Sequence, residues 1–194
     1  MDWLQNNPFE VISILIGNGD LVDVENFVAP LESSGIAELA FIPPATSTPL
    51  TYSQWPTLGD LIEMGKRVVL YMDYKADQSR VPYILGEFTY MWETKFSPTD
   101  PSFPCTVDRS SNQTSNESKL FMANHNLNME LQVLGDQVLL PDRVNLSRTN
   151  AVSGFGSLGL AAEQCVGTLC CDFCLVLHNF LLVFCLFFPK QGTD

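Results

Sequence analysis

His125, Asp73 and Lys75, with the asparagines Asn18 and Asn124, are the residues of this chain whose types and positions could do chemistry. An imidazole can move a proton near neutral pH, a carboxylate can accept one or hold a hydroxyl, and an ammonium can hold a developing negative charge. Each follows or ends a run of apolar residues: Val11 to Ile16 before Asn18, Val68 to Met72 before Asp73 and Lys75, and Leu120 to Ala123 before Asn124 and His125. In α/β sheets, ligands gather beyond the carboxyl ends of strands. Each residue also has a purely structural reading. A strand-end histidine can serve one hydrogen bond, and Asp73 can accept backbone amides or pair with Lys75.

The elements that must position these residues follow from local pattern. Trp55-Pro56 blocks helix continuation, Thr57 can cap a helix, and Leu58, Leu61, Ile62 and Met64 recur at helical spacing until Gly65. A short helix over Thr57 to Met64 is therefore predicted. Lys66 and Arg67 then sit where the helix dipole favours cations. The continuous apolar run Val68 to Met72 reads as a strand buried on both faces. Trp3 to Pro8 reads as the tail of a helix, Val11 to Ile16 as a second buried strand, and Val24 to Leu31 as a helix. Phe88 to Glu93 alternates like a strand, with Trp92 in the core rather than on a ligand-binding or membrane-facing rim. Strands alternating with helices give the α/β class.

Several phrases taken together carry a resemblance. NPFEVISILIGNGD, WPTLGDLIEMGKRVVLYMDYKAD, VPYILGEFTYMWET, DPSFPCTVDR, LFMANHNL, LLPDR and TNAVSGFGSLGLAAEQC, in this order, resemble the second half of the fungal PLC-like phosphodiesterases. The resemblance spans residues 1–168, as one partial barrel domain, and leaves 169–194 as a divergent apolar tail. It implies an incomplete TIM (β/α)8-type barrel and a phosphoric diester hydrolase of lipid metabolism, acting on phosphoinositide-type head groups. In that superfamily one histidine acts as general base and another as general acid, with an arginine or a metal on the phosphorane charge. Those residues come from the first strands, for which this chain shows no counterpart, so no catalytic residue is carried over and the chain alone is expected to be inactive. No cofactor or metal site is assigned, and a divalent metal stays open for the complete enzyme. His125, Asp73, Lys75, Asn124 and Asn18 become substrate-pocket candidates. The alternative is a noncatalytic, membrane-tethered binding module.

Composition bounds the partners. A formal net charge of -12 over 194 residues argues against nucleic-acid binding, which wants a basic face. A TIM barrel typically needs about 250 residues, so an incomplete one would leave sheet edges open. Asn112, Asn116 and Asn145 begin glycosylation sequons, and Cys105 with Cys165 forms a reasonable disulfide in an oxidising compartment. Both suit an extracellular or membrane-associated family protein, although no signal-peptide pattern is read at Met1.

The tail after Thr168 is apolar and cysteine-rich. Phe173 to Phe188 falls short of the roughly 20 residues a spanning helix usually needs, and a glycolipid-anchor signal would not add Pro189 to Asp194. A translated intron or an altered reading frame is the favoured account of this stretch, with a membrane segment as the alternative. Cys171, Cys174 and His178 imitate zinc spacing within a largely apolar sequence. Gly154 to Gly159 satisfies G-x-G-x-x-G, but no strand precedes it, so a glycine-rich turn feeding a helix over Leu158 to Gln164 is expected instead of a dinucleotide site.

Overall fold

The computed structural model describes residues 1–44, 49–109, 119–169 and 175–178. It divides into two compact units, the first built from Met1–Met91 and the second beginning at Trp92.

In the first unit α1 (Asp2–Asn6) leads into β1 (Ile12–Ile16). A 3-10 turn, Val24–Phe27, and α2 (Val28–Ser33) then replace the single helix expected over Val24 to Leu31. Pro30 explains the break: without an N–H it is tolerated in the first turn of a new helix and not in the interior of a longer one. Next come α3 (Ile36–Leu39), α4 (Leu58–Glu63), β2 (Val68–Met72), β3 (Ile84–Gly86) and α5 (Glu87–Tyr90). β1, β2 and β3 form a parallel sheet in that order, with Ile12 opposite Val68, Ile16 opposite Met72 and Leu70 opposite Ile84.

All of β2 is buried, and the contacts show why its sequence does not alternate. Val68 and Leu70 join Leu4, Ala40, Ile12 and Ile14, while Met72 joins Val24, Val81, Ile84 and Ile16. Tyr71 meets the indole of Trp55 at 6.3 Å between ring centroids, and Trp55 in turn meets Tyr90 edge-on at 5.6 Å. With helices and aromatic rings packed around it, every position of β2 must be apolar.

The α4 boundaries follow its caps. The Thr57 hydroxyl accepts the Asp60 amide at 3.1 Å, and the Asp60 carboxylate accepts the Thr57 amide at 2.8 Å. Gly65, at φ +68, ends the helix in the left-handed region. Lys66 and Arg67 serve other helices than the one they follow: Lys66 Nζ donates to the Glu38 carbonyl at 2.8 Å, and Arg67 donates to the carbonyls of Leu4 and Asn7 at 2.9 and 3.0 Å. Helix-terminal carbonyls are left without partners along the helix and carry partial negative charge, so these cations satisfy α3 and α1.

The chain passes into the second unit along β4 (Met91–Glu93). The segment read as a strand from Phe88 is one helical turn up to Tyr90 and a strand only from Met91. β5 (Leu120–His125) follows, and it takes in Asn124 and His125 instead of ending before them. β6 (Asn128–Val133) and β7 (Asp136–Pro141) form an antiparallel hairpin that the sequence reading did not anticipate. Then come α6 (Leu146–Thr149), α7 (Leu158–Leu169) and β8 (Leu175–His178), with a second sheet in the order β4, β5, β8. Trp92 is buried against Phe121, ring centroids 4.0 Å apart. A disulfide joins Cys105 to Cys165, Cα atoms 5.3 Å apart, and ties the segment after β4 to α7.

Two stability outcomes follow. Thr57→Ala lowers unfolding stability by about 1 kcal/mol in urea titration. Hydrogen bonds from Thr57 hold the Asp60 carboxyl below its ordinary value of 3.8, so its contribution is present at neutral pH and is lost as pH falls through the lowered value. The gap between wild type and Thr57→Ala therefore narrows in acid. Cys105→Ser with Cys165→Ser removes a cross-link over a sequence separation of 60, and by the chain-entropy model costs about 4 kcal/mol in the same titration.

Candidate functional site

In the first unit the strand ends build a rigid corner. β1 runs out into Gly17-Asn18, and β2 into Asp73-Tyr74-Lys75. The Asp73 Oδ1 accepts the main-chain amides of Asn18 and Tyr74, each at 2.7 Å. Asn18 is 2% exposed, and its side chain closes the same corner. Its Nδ2 donates to the carbonyls of Val22 at 2.8 Å and Tyr74 at 3.0 Å, and its Oδ1 accepts the Val22 amide at 3.0 Å. Asn18 thus locks the loop after β1 to the loop after β2, and its amide is spent on that structural task.

The second oxygen of Asp73 lies beside Gly17, where a Cβ would stand 4.0 Å from Oδ2. Glycine leaves that side of the carboxylate uncovered by a side chain. Lys75 is exposed and has φ +64, a left-handed conformation uncommon for a residue other than glycine. Arg80 braces the neighbouring loop by bridging Asp23 at 2.7 Å and Glu25 at 2.8 Å. This corner holds a fixed acid and a solvent-facing cation, a set able to take a hydroxyl and an anionic oxygen.

The second unit carries a polar cluster centred on Glu93, which is 1% exposed. Its carboxylate is paired with the Arg109 guanidinium and accepts Asn124 Nδ2 at 2.6 Å. Asn124 Nδ2 also donates to the Thr94 carbonyl at 2.9 Å, and the Asn124 main-chain amide donates to the Thr94 hydroxyl at 2.8 Å. Main-chain bonds between Glu93 and Arg109, at 3.1 and 3.3 Å, fix the two residues side by side, and Arg109 lies 4.8 Å above the Phe96 ring. Burial pushes the Glu93 carboxyl above its ordinary range, against the opposing hydrogen bond from Asn124 and the charge of Arg109. Thr94, Lys95, Asp100, Phe103 and Asn124 help line a small cavity of about 50 Å³.

His125 is buried beside this cluster. Its Nε2 lies 3.0 Å from the Thr149 carbonyl, and its ring stacks on Phe103 with centroids 3.8 Å apart. Asn124 reaches the cavity lining, whereas His125 is not among its lining residues. The structure thus brings Asn18, Asp73 and Lys75 into one corner of the first unit, and Asn124 and His125 onto one strand of the second. Glu93 and Arg109 escaped the sequence reading. A glutamate in the otherwise apolar run Met91-Trp92-Glu93 was the available signal; its partner lies too far along the chain for local pattern to pair them.

Asn145 Nδ2 donates to Asp142 at 2.6 Å just before α6. Asn112, Asn116, Cys171 and Cys174 fall outside the described residues, as does the side chain of His178. Gly154 and Gly156 turn at φ +100 and +72, and a Cβ on Gly156 would come within 2.8 Å of the Pro101 carbonyl. The Ser157 hydroxyl accepts the Leu160 amide at 3.1 Å at the start of α7, so the glycine pattern is a turn into a helix. Among the described residues no group of three or more His, Cys, Asp or Glu side chains could hold a metal ion, and no helix is long and apolar enough to cross a membrane.

The family model described as PI-PLC X 1 matches residues 1–183. Two proteins of Arthroderma benhamiae are similar. An "Uncharacterized secreted protein" is 51% identical over 166 residues, covering 84% of this chain and 37% of that protein. A "PI-PLC X domain-containing protein 1" is 41% identical over 165 residues, covering 84% of this chain and 52% of that protein. The chain therefore spans between about a third and a half of these relatives. No solved structure matches.

Glu93→Ala removes the carboxylate that neutralises Arg109 and one of the two acceptors of the Asn124 side-chain amide, and lowers unfolding stability by about 3 kcal/mol. Because the folded carboxyl is raised above the ordinary 4.5, its contribution is complete at low pH and is lost as pH rises through the raised value. The stability of wild type relative to Glu93→Gln accordingly falls as pH rises from about 4 toward neutrality, measured by denaturation at several pH values.

Proposed function

The chain belongs to the PI-PLC X family, and from that premise we propose that it forms the pocket wall of a secreted phospholipase C-like phosphoric diester hydrolase acting on phosphoinositide-type head groups. The parallel sheet β1-β2-β3 and the sheet β4-β5-β8 are read as arcs of a (β/α)8-type barrel. Their carboxyl ends then face the substrate. The Asp73 carboxylate carries the proposal. One of its oxygens is fixed by two main-chain amides, and the other lies beside the bare Gly17 with Lys75 close by in the chain. Asp73 would accept a head-group hydroxyl, and Lys75 would meet a phosphoryl oxygen. The secreted name of one relative and the Cys105–Cys165 disulfide support an extracellular setting.

The chain on its own is read as noncatalytic. Acid-base cleavage of a phosphodiester in this family calls for a histidine on the attacking hydroxyl and another on the leaving group. The sequence holds two histidines, and one of them, His125, is buried with its Nε2 on the Thr149 carbonyl. An imidazole in that setting is a positioning group. The general acid and base are therefore assigned to another part of the longer protein, as is any divalent metal.

The purified chain is assayed on phosphatidylinositol and on a generic aryl phosphodiester, with calorimetric titration of inositol phosphate alongside. The expected result is no turnover above a His125→Ala control, with inositol phosphate binding that weakens about tenfold in Asp73→Ala, the loss of one charge-assisted hydrogen bond. Turnover above the control overturns the noncatalytic reading. Binding unaffected by Asp73→Ala overturns the pocket assignment.

A further inference from the structure

The β6–β7 hairpin leaves the second unit at the carboxyl end of β5, and its two sides differ in character. Register places Met129 opposite Leu140, Leu131 opposite Val138 and Val133 opposite Asp136, so these six side chains share one face. Glu130 opposite Leu139 and Gln132 opposite Gln137 share the other. The apolar side chains of the first face are between 38% and 48% exposed, and the tip residue Leu134 is fully exposed. Leu134 and Gly135, at φ +53 and +96, make a tight turn that presents the leucine outermost.

The base of this ribbon is anchored. Leu127 is buried with Phe103 and Ala161, and Asn128 is 8% exposed. The Asn128 amide donates to the Pro98 carbonyl at 2.8 Å, its side chain to the Asn126 carbonyl at 2.6 Å, and the Asp142 amide to the Leu127 carbonyl at 2.8 Å. An anchored hairpin that keeps five apolar side chains on one face, with Asp136 at its outer end, and an apolar tip in water bears the mark of an interaction surface.

We propose that this face and Leu134 dock on an uncharged lipid surface, bringing the strand-end side of the second unit to the bilayer. The choice of lipid rests on the phospholipase-like reading above; two further observations point the same way. The five half-exposed side chains together with Leu134 offer on the order of 500 Å², below the roughly 800 Å² per partner that a stable dimer buries. A bilayer needs no matching partner, and each apolar side chain inserted adds to the affinity. Between Asn128 and Pro141 the only charged residues are Glu130 and Asp136, and the whole chain carries -12, so attachment cannot draw on anionic head groups. Docking is apolar and insensitive to salt.

The test is sedimentation of the full chain with phosphatidylcholine vesicles at low and high salt, using wild type, Leu134→Asp, Leu131→Ser with Val138→Ser, and Glu130→Ser on the opposite face. All these positions are exposed, and circular dichroism verifies that each variant is folded. The expected result is that wild type and Glu130→Ser co-sediment equally at both salt concentrations, while the partition of the other two falls at least tenfold. Wild type left in the supernatant overturns the proposal. Equal partition of all variants does so too, as does a concentration-dependent dimer abolished by the same substitutions. No turnover is read, so the docking face and the head-group pocket fail independently: loss of inositol phosphate binding in Asp73→Ala leaves vesicle partition unchanged.

Discussion

Burial of β2 on both faces is the constraint on which the first unit depends. Val68, Leu70 and Met72 are taken up by two apolar clusters and Tyr71 by the Trp55 ring, so the strand can neither slip in register nor turn over without exposing apolar surface. Fixing β2 fixes the position of Asp73 at its carboxyl end. The loop after β1 is then held to it by Asn18, which converts two strand ends into one corner. Packing in the sheet, polar bonding at its rim and the placement of a carboxylate form one chain of cause.

The second unit solves the corresponding problem with charge. Asn124 is placed on β5 by hydrogen bonds to Thr94 and Glu93, and Glu93 is placed in turn by Arg109. Removing water from a carboxylate is costly, and an ion pair with a further amide donor offsets it only while every member is present. The disulfide from Cys105 to Cys165 holds the segment leading to Arg109 against α7. One unit therefore presents strand-end groups by apolar packing, and the other by a buried polar network.

What could be read in advance followed the range of the forces involved. The helix after Thr57, its end at Gly65 and the strand ending at Met72 rest on neighbouring residues, and local periodicity reports them. The strand over Leu120 to His125 was cut short because Asn124 and His125 are polar, and their burial depends on Glu93, Thr94 and Thr149, far away in the chain. Phe88 to Tyr90 has the composition of a strand yet forms a helical turn, since a single turn is decided by its surroundings more than by propensity. The Glu93–Arg109 pair was invisible for the same reason, although a lone acid in an apolar run marked where to look. For the candidate site, residue types at strand ends were legible, and their division into structural and available atoms was not.

The account stands on Asp73 as a preset acceptor at the carboxyl end of a parallel sheet in a PI-PLC X family chain. Titrating inositol phosphate into the isotopically labelled chain and following amide resonances tests this most directly. The account predicts that the largest shifts fall on Gly17, Asn18, Gly19, Tyr74 and Lys75, and that they vanish in Asp73→Ala. Shifts confined to other residues, or unchanged at this corner in the variant, would contradict it.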